Sequence, residues 1–130
     1  MSSMTAQHPV IALEQAALAR WCRGDPSGFL ELSAADVSYF DPFQPRRLDG
    51  IAELAALYAT LRGQISAPHY EMIDPRVTLC GNAAVLSFRF NSWGDDPAAA
   101  MRWNCTEVYR YDDDGWRIVQ THWSLTGAGC

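Results

Sequence analysis

The sequence contains no lysine; all ten of its basic residues are arginine. That excludes every mechanism that needs a side-chain amine, including Schiff bases, pyridoxal phosphate attachment and the phosphate-binding lysine of a P-loop. Cysteine is sparse as well. Cys22, Cys80, Cys105 and Cys130 form no CxxC pair and have no histidine at ligand spacing, so neither a zinc site nor a disulfide framework is expected. No metal and no cofactor enters the reading. No apolar run approaches the roughly 18 residues that a membrane span requires, and MSSMTAQHPV has neither the basic nor the apolar region of a secretory signal. The expectation is a cytoplasmic protein with reduced thiols. A basic stripe is also missing and the formal charge is −5, so neither nucleic acid nor an anionic membrane is an expected partner.

What is there is a chain of 130 residues, 48% hydrophobic, enough for one domain with a genuine core and too little for two. Residues 1–130 read as a single domain with flexible ends at 1–8 and 126–130. From Pro9 to Arg23, Leu13, Ala17 and Trp21 fall on one helical stripe, with proline at the start and Gly24 past the end. Asp25-Pro26 opens a second, brief helix that buries Phe29 and Leu30. Val37 to Asp41 has strand composition and is stopped by Pro42 and Pro45. Asp49 can cap a third helix, in which Ile51, Leu54, Ala55, Tyr58 and Leu61 share a face and Gly63 is the stop.

After that helix the pattern is sheet. Strands at about 69 to 80, 83 to 93, 99 to 111 and 115 to 125, joined by short turns, predict an antiparallel meander. Pro75 marks a bulge or an edge within the first of them. Alternation puts Leu86, Phe88 and Phe90 on the covered face and Arg89 outside. In the next strand Trp103, Cys105, Glu107 and Tyr109 are the more apolar set, so they face the helices and carry Glu107 inward. Val108, Ile118 and His122 then fall on the outer face, which no helix is left to cover. Three helices followed by a long curved sheet give an α+β layer fold.

Two stretches, YFDPFQPRRLDGIAELAALY at 39 to 58 and NCTEVYRYDDDGWRIVQTHWS at 104 to 124, resemble the ketosteroid isomerases. These sit within the nuclear transport factor 2-like superfamily, which includes the SnoaL-like polyketide cyclases. The second stretch is also similar to the association domain of calcium/calmodulin-dependent kinase II, an oligomerisation hub. The resemblance implies a cone of three N-terminal helices on a strongly curved antiparallel β-sheet, with an internal pocket. It implies that Asp41, ahead of Pro42, is a general base moving a proton between carbons beside a ketone. It places Glu107 where the family has a protonated aspartate in its oxyanion hole. Tyr58 matches a supporting tyrosine on helix three, and Trp123 an aromatic wall. The family's principal donor, a helix-one tyrosine, has no counterpart: Trp21 or Ala17 stands there, and an indole N–H is a weaker acid than a phenol. The hub's pocket arginines correspond to Glu107 and Trp123.

Plainer readings stand beside these. Asp41 before proline is also a turn former. A glutamate on an apolar face must be protonated, paired with Arg102 or another arginine, or open to water. The expected pocket is lined by Trp21, Tyr39, Leu86, Phe88, Phe90, Trp103, Cys105 and Trp123, with Asp41, Glu107 and Tyr58 as catalytic groups, and it suits a small hydrophobic molecule. The functional expectation is a cofactor-free isomerase, dehydratase or cyclase acting on a hydrophobic carbonyl compound. The alternative is a non-catalytic ligand-binding or oligomerisation domain. A homodimer through the outer sheet face is expected in either case.

Overall fold

The computed structural model describes residues 8–126. Helix α1 (Pro9–Trp21) begins with proline in its first turn and is capped by His8, whose Nδ1 accepts from the Val10 N–H at 3.2 Å. The His8 ring also stands 5.1 Å from Trp116, and Thr126 N–H donates to the Arg102 carbonyl at 3.0 Å. Both residues belonged to the ends expected to be flexible. The remaining residues of those ends, 1–7 and 127–130, lie outside the described residues. Helix α2 (Ser27–Leu32) starts where Asp25 Oδ1 accepts the Ser27 N–H at 3.0 Å. At its other end the buried Ser33 hydroxyl donates to the Phe29 carbonyl at 2.7 Å, pinning the turn into the sheet. Ser33→Ala is expected to cost about 1 kcal/mol, the usual net worth of one such bond. Urea denaturation measures it, and an unchanged midpoint would show that the carbonyl finds another donor.

Strand β1 (Ser33–Phe40) begins four residues earlier than its composition suggested. Ser33 to Asp36 holds no β-branched or aromatic residue, so its strand state comes from its neighbour rather than from propensity. That neighbour is the last strand, which runs parallel to β1 with Tyr39 opposite Thr121. The remaining strands are β2 (Leu48–Asp49), β3 (His69–Cys80), β4 (Ala83–Trp93), β5 (Met101–Asp112) and β6 (Gly115–Leu125). Their order is β2-β1-β6-β5-β4-β3, a curved, unclosed six-stranded sheet. One parallel pair makes it mixed, where an all-antiparallel sheet was expected.

Helix α3 (Ile51–Leu61) is not capped by Asp49 as expected. Asp49 is held in the sheet opposite Ser38, and its N–H is taken by Glu53 Oε1 at 2.8 Å. Gly50 makes the turn instead, at φ 89°, where a side chain would be strained. Pro75 behaves as read: β3 is an edge strand whose register slips between Ile73 and Arg76, with Asp74 at φ 51°.

Alternation holds through the middle of the sheet. Leu86, Phe88, Phe90, Cys105, Glu107 and Tyr109 are all buried, packed with Val10, Leu18, Leu54 and Tyr58 of the helices. It fails at Ile118, placed outside by parity but fully buried. Val108 pairs with Gln120 while Tyr109 pairs with Ile118, so Val119 is an extra residue. That bulge turns Ile118 into the core. No described helix is long and apolar enough to cross a membrane.

Candidate functional site

Helices and sheet diverge at one end of the cone and enclose a cavity of about 380 Å³. Its rim is tied by the corner after α1: Gly63 N–H donates to the Gly24 carbonyl and Ala67 N–H to the Cys22 carbonyl, both at 2.9 Å. Gly24 sits at φ 87°, and a Cβ there would meet the Ile65 carbonyl oxygen at 3.1 Å. Only glycine lets these segments close over the cavity. Of the expected lining, the structure brings Trp21, Tyr39, Asp41, Tyr58, Phe90, Trp103 and Trp123 together around it. The rings meet edge to face: Trp21–Tyr58 at 5.1 Å, Tyr39–Tyr58 at 5.9 Å, Trp103–Trp123 at 5.8 Å.

Leu86, Phe88, Cys105 and Glu107 are not among the lining side chains. The register explains this. Phe90 pairs with Trp103 at the open end, Phe88 with Cys105 two residues deeper, and Leu86 with Glu107 deeper again. Four residues of strand span about 13 Å, and at that depth Leu86 and Glu107 are fully buried. Those residues form the packed layer beneath the cavity. Phe43 lines the cavity and was not singled out from sequence. It follows the DP corner, and neither periodicity nor alternation reaches a loop residue.

Asp41 is anchored through both oxygens. The Tyr39 hydroxyl donates to Oδ2 and the Phe43 N–H to Oδ1, each at 2.7 Å. The second bond is an Asx turn, so the turn reading and the site reading of Asp41 describe the same geometry. Burial holds the Tyr39 phenol well above its ordinary value, with neighbouring Tyr58 and the Asp41 charge acting the same way. The Tyr58 phenol, fully buried between the cavity and Glu107, is raised by burial first and by the Glu107 charge second. Burial also pushes the Cys22 thiol up to about 11.

Glu107 has no arginine partner. Its Oε2 accepts from the Thr121 hydroxyl at 2.9 Å, and its carboxyl lies against that of Glu14 from α1, within 4.8 Å. Glu14 Oε1 accepts from the Tyr109 hydroxyl at 2.5 Å. The two other oxygens, Glu14 Oε2 and Glu107 Oε1, have no hydrogen-bond partner among the described residues, and a proton shared between the carboxyl groups would satisfy both. Burial raises both groups above the ordinary carboxyl value, and for Glu107 the Glu14 charge adds to it. Glu14, Cys105 and Glu107 are the described residues that could hold a metal ion, with one ligand atom each within 4.8 Å of the others. Sequence analysis missed Glu14, though a signal existed: it lies four residues from both Val10 and Leu18, on the buried stripe of α1.

Residues 10–127 match the SnoaL-like domain. The chain belongs to the SnoaL-like family. No curated protein matches it. Among known structures, this SnoaL-like domain is similar to a candidate ketosteroid isomerase from Parabacteroides distasonis ATCC 8503. The two are 39% identical over 97% of this chain and 93% of that one, at TM-score 0.82. The S. rosetta CaMKII hub shares the fold at 18% identity, over 94% of this chain and 100% of that one, at TM-score 0.75. A candidate dehydratase of the NTF2-like family from Streptomyces avermitilis shares it at 23% identity, over 92% and 95%, at TM-score 0.70.

In this SnoaL-like domain the charge is arranged in two tiers. Among the described residues Asp41 is the one acidic side chain lining the cavity, while Glu14 and Glu107 are fully buried and outside its lining. An apolar chamber with one anchored carboxylate can hold a small molecule and accept a proton from it. Tyr58 and Trp21, which carry a hydroxyl and an indole N–H, also line the chamber.

Proposed function

We propose that this SnoaL-like domain works in the cytoplasm as a cofactor-free isomerase, dehydratase or cyclase, with Asp41 accepting a proton from a small hydrophobic carbonyl compound. The observation that carries this reading is Asp41 itself, a carboxylate fixed by Tyr39 and Phe43 and lining a largely apolar cavity of about 380 Å³. A proton beside a carbonyl passes to Asp41, and the charge that develops on the carbonyl oxygen meets the Tyr58 hydroxyl or the Trp21 indole. Glu107 acts from behind Tyr58, as a neighbour of the donor. The 39% identical relative described as a candidate ketosteroid isomerase is consistent with this class of chemistry. Buried thiols at Cys22 and Cys105 suit a reducing compartment. The test is proton NMR of a panel of aryl ketones in deuterium oxide. Protein-dependent loss of the α-proton signal supports the reading, and exchange at the buffer rate for the whole panel overturns it.

A second reading, a non-catalytic ligand-binding or oligomerisation domain, is favoured by the placement of Glu107 outside the cavity lining. Both readings carry the same proposal about assembly, a homodimer through the outer sheet face. With Ile118 turned inward, that face presents the partly exposed Val108 beside Phe40 and His122, whose rings lie 5.1 Å apart. Phe40 is 37% exposed, an apolar cost that a second copy would remove. Light scattering is expected to give twice the chain mass, and Phe40→Glu the monomer. A wild-type monomer that persists at high concentration removes the proposal.

A further inference from the structure

The cavity contains a negative charge and no positive one. Among the described residues none that lines it is arginine or histidine, and residues 1–7 and 127–130 include neither. The arginines on the loop beyond Asp41 are already paired, Arg46 with Glu53 at 3.0 Å and Arg47 with Asp49 at 2.5 Å. Asp41 is held by two donors that are themselves neutral, so its charge is fixed in place and not cancelled. Around it the rings stand as adjoining walls rather than as a stack. Trp103 and Trp123 meet at 83° with centroids 5.8 Å apart, and Phe43 meets Trp103 at 80° and 6.0 Å. Aromatic faces attract cations, and walls of this kind beside a carboxylate make an aromatic cage.

We infer that the ligand of this cavity is a carbonyl compound that carries an ammonium group, bound with the cation among Trp103, Trp123 and Phe43 and within the field of Asp41. This rests on the reading of the cavity given above and names the class of its substrate. An anion is repelled by Asp41 and by the ring faces. A neutral molecule gains burial alone, whereas an ammonium gains burial, cation–π attraction and the charge of Asp41. The chemistry needs the same group. When Asp41 takes the α-proton, the C–H electron pair becomes the enolate double bond and the negative charge moves to the carbonyl oxygen. The proton then returns from Asp41 to carbon, and nothing is oxidised or reduced. Among the described residues no cation lines the cavity, so a positive charge on the substrate supplies what that lining lacks.

Benzyltrimethylammonium, its uncharged carbon isostere neopentylbenzene and the anion phenylacetate have similar size and differ in charge, and tryptophan fluorescence with calorimetry reads their binding. The cation is expected to bind at least about tenfold tighter than the isostere, with no saturation by phenylacetate. Asp41→Asn and Trp103→Leu should each erase most of that preference. Equal affinity for cation and isostere overturns the cation inference and leaves the cavity a binding site. Failure of all three to bind overturns both. A preference that survives both substitutions places the cation elsewhere and overturns the inference. Cation preference with no α-proton exchange in any ketone keeps the ligand class and removes the proton transfer.

Discussion

Asp41→Asn is expected to slow protein-dependent α-proton exchange by about 10² to 10⁴, the range attributed to a positioned general base. The amide keeps the size of the side chain. Its oxygen can still accept from the Phe43 N–H or the Tyr39 hydroxyl, each now 2.7 Å from a carboxylate oxygen. What disappears is the ability to take up a proton. Folding stability should change little, because the corner is also fixed by Pro42 and by the strand pairing of Tyr39 and Phe40 with β6. The comparison with Tyr39→Phe is informative in the opposite sense. Deleting that hydroxyl leaves Oδ2 with one hydrogen bond fewer, so the carboxylate is less fixed. Exchange by that variant should fall less than in Asp41→Asn. Thermal melting and exchange rate are measured on the same preparations. An Asp41→Asn protein that exchanges at the wild-type rate takes Asp41 out of the chemistry, and the proposed enzyme with it.

Particular residues show how far the sequence could be read. The helices were legible because α1 and α3 carry one apolar stripe each and end near glycines. The four long strands were legible because their turns hold Gly81, Asp95, Pro97 and Gly115 and their interiors alternate. Strand β1 was legible only in its second half: its pairing with β6 is a contact between residues some 80 positions apart, which Ser33 to Asp36 do not advertise. Parity placed Leu86, Phe90, Cys105 and Glu107 on the right face and misplaced Ile118, since a single extra residue at Val119 inverts everything before it. Within the site the aromatic walls and Asp41 were found. Depth was not, because alternation says which face a residue is on and nothing of how far along the cone it lies. That is why Leu86, Phe88, Cys105 and Glu107 were read as lining. The partner of Glu107 was sought among the arginines by charge, whereas the fold supplies a second acid, which a carboxyl can accept when a proton is shared.

The buried carboxyl pair gives the domain a pH dependence of definite sign. Glu107 ionises in the folded state well above its ordinary value of 4.5, because burial removes its charge from water and Glu14 lies against it. A group raised on folding stabilises the folded state fully below the unfolded value, and the contribution is lost as pH climbs through the folded one. Stability should therefore fall progressively above about pH 5, by roughly 1.4 kcal/mol for each pH unit separating the unfolded and folded ionisations. The exposed pairs act at the other end of the scale. Asp25, held down to about 2 first by its bond to Arg20, favours folding above its unfolded value and loses that contribution in acid, so the two windows do not overlap. Glu107→Gln separates them cleanly. The amide still donates to Glu14 and still accepts from Thr121, but it cannot ionise. Urea denaturation from pH 5 to pH 9 should show the wild type losing stability and Glu107→Gln losing much less, so that the variant becomes the more stable protein at the alkaline end. If a bound divalent cation held the two carboxylates instead, the alkaline loss would be absent, and dialysis against a chelator would lower the melting temperature of the wild type alone. Identical pH profiles for wild type and Glu107→Gln would mean that the pair carries no shared proton.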